Sequence, residues 1–406
     1  MTRQLYFEDA WMRQFEGIVS GVRQDDAGAW LALDQTAFYP EGGGQPGDSG
    51  RLLMADGTEW LVTDSQRDKE GVIWHQVVLG EGKTLPAQGA GLSGELDWAR
   101  RFDHMQQHTG EHIIAGSLYE RTGGFTHGLH IGKEVSTIDV TLPDGSTRLD
   151  EKTMESIERL ANTHIAADEK VICRFPDTEE LASLPLRKDP SVTDHVRVCF
   201  IGSHELVACG GTHLARTSQV GLVKLLKTEP ARGKMRLFFL CGERAMAHYA
   251  LVYKSLGRVC EMLSAKEEEA PDRLREYMKK AEASHLSLAA LRRQNTLGKA
   301  DGLMAQALSL SGGRKAVIAQ LEEDDLPALE ALANALTREP KTIALLCVPK
   351  EGLYNLLFAR SSDLETDMPE LLRSTGARGG GRPEFARGAA RDSLPWEAAR
   401  VMAPHL

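Results

Sequence analysis

The chain has no apolar run approaching the roughly 20 residues that a bilayer-spanning helix needs, which argues against a membrane protein. Its start, Met1 to Gly17, is broken by Arg3, Glu8, Asp9, Arg13 and Glu16 and holds no apolar h-region, so no secretory signal peptide is expected. A cytoplasmic location is the resulting expectation. Cysteine is scarce: six in 406 residues, without framework spacing, exclude a disulfide scaffold and predict reduced thiols or metal ligands. Positive charge is also short. A formal net charge of −10 excludes indiscriminate nucleic-acid binding, because the phosphate-driven attraction needs clustered Lys and Arg. A local basic patch would still allow RNA to bind, and acidity elsewhere favours selective capture and release. No internal repeat or low-complexity segment is present. With 42% hydrophobic and 26% charged residues, the chain can bury sizeable cores, and its length suggests roughly two to four domains.

Four regions follow from the patterning. Residues 1–95 are β-rich: Gly17–Val22, Ala29–Leu33, Gly71–Leu79 and Gly91–Leu96 are short runs punctuated by Gly, Asp and Pro, which predicts a barrel-like domain. Residues 96–242 read as α+β. Met105, His108, Thr109, His112, Ile113 and Leu118 fall at helical spacing, and Thr122-Gly123-Gly124 ends the run. A second helix is predicted over Asp150 to Asp168. Strands are predicted at Val171–Phe175, His195–Gly202, Glu205–Cys209, Gly221–Glu229 and Met235–Cys241. Residues 243–310, rich in Ala, Leu, Glu, Lys and Arg and broken at Glu269-Ala270-Pro271-Asp272, predict a long helical connector. Residues 311–406 alternate as a small α/β domain: strands at Lys315–Leu321, Thr342–Val348 and Tyr354–Arg360, helices at Leu326–Thr337 and Met368–Ser374.

Two clusters carry metal-ligand chemistry. In Asp103-His104-Met105-Gln106-Gln107-His108-Thr109-Gly110-Glu111-His112, His108 and His112 stand four apart, which puts two imidazoles on one helix face. His104 stands in the same relation to His108, so spacing allows either pair. In Cys209-Gly210-Gly211-Thr212-His213, a thiol and an imidazole flank two glycines, whose backbone can wrap closely around an ion. Three nitrogens and one sulfur suit one tetrahedral zinc ion. His108-Thr109-Gly110-Glu111-His112 also matches the HxxEH metallopeptidase pattern, with Glu111 as base. That enzyme needs a downstream glutamate ligand, and residues 182–190 hold none, Glu179 and Glu180 falling just short.

Two segments are glycine-rich. Gly42, Gly44 and Gly47 match the dinucleotide fingerprint, but Asp48-Ser49-Gly50 follows where a helix should open, so a hairpin loop is the better reading. Thr375 to Arg391 combines Gly379-Gly380-Gly381 with Arg378, Arg382, Arg387 and Arg391. Exposed glycine amides among arginines suit a phosphate surface, and a plain solvated loop is the competing reading.

These residues resemble a known family. Cys209-Gly210-Gly211-Thr212-His213, preceded by Val196-Arg197-Val198-Cys199-Phe200-Ile201-Gly202, is similar to the editing region of alanyl-tRNA synthetase. So are His108-Thr109-Gly110-Glu111-His112 and the run from Thr36 to Asp48, and the stretch Arg232 to Ala245 resembles the strand that leaves that region. Thr375 to Ala389 is similar to the glycine-rich end of the synthetase's C-terminal tRNA-binding module. The pieces run in order along almost the whole chain, without the synthetase's aminoacylation module. The chain therefore resembles the freestanding alanyl-tRNA editing proteins of the long AlaX type.

The resemblance implies an α+β protein with a β-barrel-like N-terminal domain, an editing domain at 96–242 with one zinc ion, a helical connector and a C-terminal tRNA-binding domain. Its HxxxH and CxxxH metal motifs map onto His108, His112, Cys209 and His213. Its substrate-contacting motif maps onto Gly43, Gly44 and Asp48. Its tRNA-binding end maps onto Arg378, Gly380, Gly381, Arg382 and Arg387. Glu111 replaces a Thr common in the synthetases and is a candidate catalytic carboxylate. The implied activity is hydrolysis of mischarged tRNA(Ala), carrying serine or glycine. An alanine pocket discriminates weakly against both, whereas a second site that hydrogen-bonds the serine hydroxyl rejects alanine strongly. Thr126, His127 and His130 are candidates for that contact. Implied partners are tRNA and a second copy of the chain, meeting through the connector or C-terminal domain. The competing readings are a tRNA-binding protein with a structural zinc and the HxxEH peptidase.

Overall fold

Period-two alternation drives the first architecture. Strands β1 (Gln14–Asp25), β2 (Gly28–Leu33), β3 (Gly50–Leu53), β4 (Glu59–Arg67), β5 (Ile73–Val78) and β6 (Gly91–Leu96) close into an antiparallel barrel in the order β1-β2-β5-β4-β3-β6. On β4, Trp60 and Val62 point inward while Leu61 faces out. They join Phe15, Leu31, Phe38, Leu52 and Leu92 in the barrel core. The computed structural model describes every residue except 26–27, 81–83, 188–189, 191–194, 323–325 and 351. Among the described residues, no helix is long and apolar enough to cross a membrane.

The chain divides into two compact units, Met1–Leu256 and Gly257–Leu406. In the first, helix α1 (Trp98–Thr122) follows the barrel. Asp97 caps its N-terminus by accepting from the Arg100 amide, and Gly123 ends it in the left-handed conformation at φ 68°. A four-stranded antiparallel sheet has β7 (Phe125–Ile131), β8 (Ser136–Thr141), β12 (Val223–Ala231) and β13 (Lys234–Cys241) in the order β12-β13-β8-β7. Helix α2 (Glu151–Ala166) and a three-stranded sheet of β9 (Val171–Arg174), β10 (Val198–Ile201) and β11 (Glu205–Ala208) complete this part. Met105, Ile113, Ile114 and Leu118 of α1 pack with Ile138, Ile157 and Phe239 in one core. Cys173 and Cys199 face each other on β9 and β10 and form a disulfide, with Cα atoms 4.1 Å apart. This corrects the expectation of reduced thiols for these two cysteines, which strand register brings together across 26 residues, while Cys209, Cys241, Cys260 and Cys347 are free thiols.

Helix α3 (Gly242–Leu263) leaves the first unit, and α4 (Ala270–Gly298) begins with Pro271 in its first turn. In the second unit, β14 (Lys315–Gln320) pairs parallel with β15 (Thr342–Lys350), and α5 (Leu326–Leu336) makes the crossover. Strand β16 (Leu353–Arg360), helix α6 (Met368–Ser374), strands β17 (Arg378–Arg382) and β18 (Phe385–Ala390) and helix α7 (Leu394–Met402) follow. Both faces of this sheet are covered. Leu346 and Leu357 pack with Leu329 and Leu332 of α5. Leu345 and Phe358 pack with Leu372 of α6 and Trp396 of α7. The C-terminal glycine-rich stretch, for which a plain solvated loop was the competing reading, is the hairpin β17–β18, with Gly379 opposite Gly388 and Gly381 opposite Ala386. A Cβ at Gly379 or Gly381 would come within 2.1 Å or 2.0 Å of the β18 backbone, so close strand approach explains these glycines.

A buried ion pair ties the barrel to α1. The Arg101 guanidinium donates to the Asp48 carboxylate and to the carbonyls of Ala10 (2.8 Å) and Ala37 (2.5 Å), with both charged side chains essentially solvent-free. Removing one partner of such a pair leaves an uncompensated buried charge. Arg101→Met is therefore expected to lower unfolding free energy by about 3–5 kcal/mol, read from urea denaturation, with Asp48→Asn in the same chain restoring part of the loss. Unchanged stability in Arg101→Met would contradict this role.

Candidate metal centre

Every residue of α1 from His104 to Leu118 is buried, including its histidines and glutamines. A helix that is polar yet buried needs a partner for each polar group. Gln106 donates to the Gln219 carbonyl at 3.0 Å. Gln107 exchanges hydrogen bonds with the Cys241 backbone, both at 3.0 Å. Thr109 accepts from the Leu214 amide at 3.1 Å. These bonds fix the rotation of α1, so His108 and His112 face the Cys209–His213 turn.

One ligand atom from each of His108, His112, Cys209 and His213 lies within 4.8 Å of the others. His104 falls outside this group, and its buried ring is pushed down to about 3, first by burial and then by nearby arginines. The Cys209 sulfur is 3.3 Å from His108 Nε2 and 3.3 Å from His213 Nε2. The other ring nitrogens are engaged outward. His108 Nδ1 bonds Gln45 Oε1 at 2.8 Å, His112 Nδ1 meets Glu111 Oε2 at 3.0 Å, and His213 Nδ1 lies 3.4 Å from Thr109 Oγ1. This outward anchoring leaves the Nε2 atoms to face one another, as in metal-ligating histidines.

The donor chemistry fits a metal. His112 Nε2 is buried and makes no hydrogen bond. Burial alone would raise the Cys209 thiol, but the imidazoles of His108, His213 and His112 outweigh it and hold the thiol well below its usual range. The Gly211 amide also donates to that sulfur at 3.4 Å. Burial drives His213 down to about 3, which keeps its ring neutral with a lone pair to donate. Burial opposes the charged form of His112, yet Glu111 and Cys209 raise it to about 10. A borderline-soft divalent ion such as zinc suits three imidazoles and a thiolate.

The turn is held from two sides. Arg197 donates to the carbonyls of Cys209 (3.1 Å) and Gly211 (2.8 Å). Gln45 donates to Thr212 Oγ1 at 2.8 Å while its oxygen accepts from the Thr212 amide at 3.2 Å. A Cβ at Gly211 would sit 2.2 Å from His108 Cε1, so only glycine lets the turn approach this ring. Sequence reasoning missed Gln45, Thr109 and Arg197. Gln45 has a signal in its place directly after the glycine run, and Arg197 has none.

A cleft of about 490 Å³ opens onto the cluster, lined by His108, Glu111, His112 and Cys209 together with Gly43, Thr126 and the arginines Arg67 and Arg187. Gly43 and Gly44, at φ 60° and 83°, are the centre of a tight turn closed by reciprocal bonds between Gly42 and Gln45. Gly43 is at the cleft. Gly44 is packed beneath it, where a Cβ would lie 1.7 Å from the Leu129 carbonyl. Asp48 does not line the cleft: buried and bonded to Arg101 and the Tyr39 amide, it has a structural task in place of the substrate contact expected from sequence. Thr126 and His127 line the cleft, and the exposed His130 does not. In the second unit, Arg378, Gly380, Gly381 and Arg382 are exposed on β17. Arg387, on β18, is paired with Glu330 at 2.5 Å and is not a free cation.

Comparison with known proteins bears on the same segments. The family model for tRNA synthetases class II (A) matches residues 10–100, and that for the threonyl and alanyl tRNA synthetase second additional domain matches residues 196–237. The chain is 30% identical over 398 residues to an alanyl-tRNA editing protein AlaX-L of Pyrococcus horikoshii, covering 96% of this chain and 94% of that one. It is 33% identical over 402 residues to an alanine–tRNA ligase of Pyrococcus furiosus, covering 96% of this chain but 42% of the ligase. The chain thus spans less than half the length of the ligases it matches. The C-Ala domain of Aquifex aeolicus alanyl-tRNA synthetase covers 23% of this chain at 25% identity, with a TM-score of 0.21 that is too low to inform the fold.

Because Gln45 orients both His108 and the Thr212 segment, Gln45→Leu is expected to weaken zinc binding about 10–100-fold in competition with a chromophoric chelator. Gly211→Ala, which forces a methyl into the His108 ring, is expected to weaken it further. Wild-type affinity in both variants would exclude the cluster as the zinc site.

Proposed function

This chain belongs to the alanyl-tRNA editing protein family, and from that premise we propose that it is a trans-editing hydrolase that deacylates mischarged tRNA(Ala), Ser-tRNA(Ala) foremost and Gly-tRNA(Ala) second. The observation that carries the reading is the convergence of His108, His112, Cys209 and His213, the first three of which line a polar cleft. The four residues would hold one zinc ion, which when bound supplies a Lewis-acid centre beside an ester carbonyl.

The chain's own groups have separable tasks in this reading. The tip of the Gly42–Gln45 turn brings backbone to the cleft at Gly43, where a side chain would obstruct a nucleoside. Arg67 on the cleft wall suits the phosphates of a tRNA 3′ end, whereas Arg187 beside it is paired with Glu205 at 3.0 Å. Thr126 supplies a hydroxyl able to pair with the serine side chain, so that alanine would leave it unpaired. Glu111 lines the cleft while anchoring His112. Burial opposes its charged form, but His112 outweighs this and holds the carboxyl below its usual range, so it is ionised at neutral pH and able to accept a proton. Arg378 and Arg382 on the exposed glycine strand are the proposed tRNA contacts of the second unit, and the cytoplasm is the proposed compartment. Exposed Leu274, Tyr277, Met278 and Leu291 on α4 offer an apolar face for a second copy of the chain.

Single-turnover deacylation of Ser-, Gly- and Ala-tRNA(Ala) tests the proposal, with metal content measured on each protein. Wild type is expected to hydrolyse Ser-tRNA(Ala) and spare Ala-tRNA(Ala). Cys209→Ala is expected to lose both metal and activity, and Glu111→Gln to lose about 100-fold or more in rate with the fold retained. Tight tRNA binding with hydrolysis at the spontaneous rate would instead show a non-catalytic binder. Full zinc and full activity in Cys209→Ala would refute the ligand assignment.

A further inference from the structure

The helix face that carries the metal centre continues at the same interval of four, through buried His104, His108, His112 and Gly116 to exposed Glu120. Glu120 lies two turns, about 12 Å, along the helix from His112. There it meets His164 of α2 and His204, in the turn between β10 and β11. One ligand atom from each of these three residues lies within 4.8 Å of the others. The two rings stack with centroids 3.5 Å apart.

The hydrogen bonds show which atoms are free to donate a lone pair. His204 Nε2 lies 3.0 Å from the Ile113 carbonyl, which can only accept, so Nε2 carries the proton. Ser117 Oγ, 3.3 Å away, donates its own hydrogen to the same carbonyl and so shares that N–H. The lone pair of a neutral His204 is therefore on Nδ1. A ring whose far nitrogen donates to a backbone carbonyl is the usual form of a metal-ligating histidine. His164 Nε2 is buried and has no hydrogen-bond partner. Room for the arrangement comes from Gly116, where a Cβ would lie 2.6 Å from His204 Nε2. Two imidazoles from separate elements, one tautomerically fixed and one with an unpartnered buried nitrogen, beside a carboxylate, exceed what a stacked histidine pair in a core requires.

We propose that Glu120, His164 and His204 form a second divalent-metal site, of the two-imidazole, one-carboxylate type that takes zinc and related first-row ions. Glu120 is exposed, so solvent completes the coordination on its side. The ion would clasp α1, α2 and the turn that feeds β11, the strand ending one residue before Cys209. The site stands apart from the editing reading and does not depend on it.

Chelator-stripped wild type, Glu120→Gln, His164→Gln and Cys209→Ala are titrated with zinc against a chromophoric chelator, and bound metal is counted by mass spectrometry. The expectation is two ions per chain in wild type and one in His164→Gln. Cys209→Ala, which disables the first centre, retains the second ion and loses it when His164→Gln is added. Glu120→Gln weakens the second ion by about tenfold or more. Circular dichroism reports folding, and because Glu120 is a surface residue its variant carries the test if His164→Gln does not fold. A single ion in wild type, or a second ion indifferent to Glu120→Gln and His164→Gln, overturns the proposal.

Discussion

A single side-chain amide holds three distant parts of the molecule in register. Gln45 leaves the barrel's glycine turn, places its oxygen on His108 and its nitrogen on Thr212, and so reaches partners 63 and 167 residues further along the chain. The amide fits this place because it both accepts and donates within one rigid plane. A carboxylate could not donate to Thr212, and a lysine could not accept from the ring. Once this bridge is made, the orientation of His108 and the position of the Cys209–His213 turn are no longer independent. The barrel is therefore part of the candidate centre, although among the described residues it contributes none of the four ligand side chains.

The polar interior of α1 follows from the same constraint. A helix carrying glutamines, histidines, a threonine and a glutamate would ordinarily face water. Here Gln106, Gln107 and Thr109 each meet a backbone atom from another element, while Glu111 anchors its neighbour His112, which makes the helix a positioning device more than a hydrophobic strut. Arg101 does the same nearer the N-terminus by gathering Asp48, Ala10 and Ala37. Networks of this kind are costly to break, and the bonds they make narrow α1 to one rotation and one depth.

Local features were legible in the chain. The spacing of His108 and His112, the Gly123 stop of α1 and the Pro271 restart at α4 each depend on a few neighbouring residues. So do the strands of the barrel that alternate cleanly, such as Gly91–Leu96. What was not legible depends on partners far along the chain. Asp48 beside a glycine turn resembles a ligand contact until Arg101, 53 residues away, is seen to consume it. Spacing alone left His104 open as a ligand; the family resemblance pointed to His108 and His112 instead, and the packing of α1 keeps His104 out of the cluster. Strand β17 has three successive glycines and little intrinsic β preference, so its pairing is imposed by the backbone of β18. Strand β7 was missed because most of its residues face the cleft or the solvent, and β8 because buried Ser136 and Thr137 break the apolar alternation.

The glycine strand also bears on self-association. β17 is the terminal strand of its sheet, and all five of its residues are exposed. An edge almost without side chains offers a neighbour an unobstructed row of amides and carbonyls, the geometry that invites runaway strand addition. Arg378 and Arg382 stand at its two ends. Two copies approaching edge to edge would bring like charges together at both ends, and the repulsion works against the register that the bare backbone permits. A polyanion meets no such penalty. The same pair of arginines thus works against strand-mediated clumping of the protein.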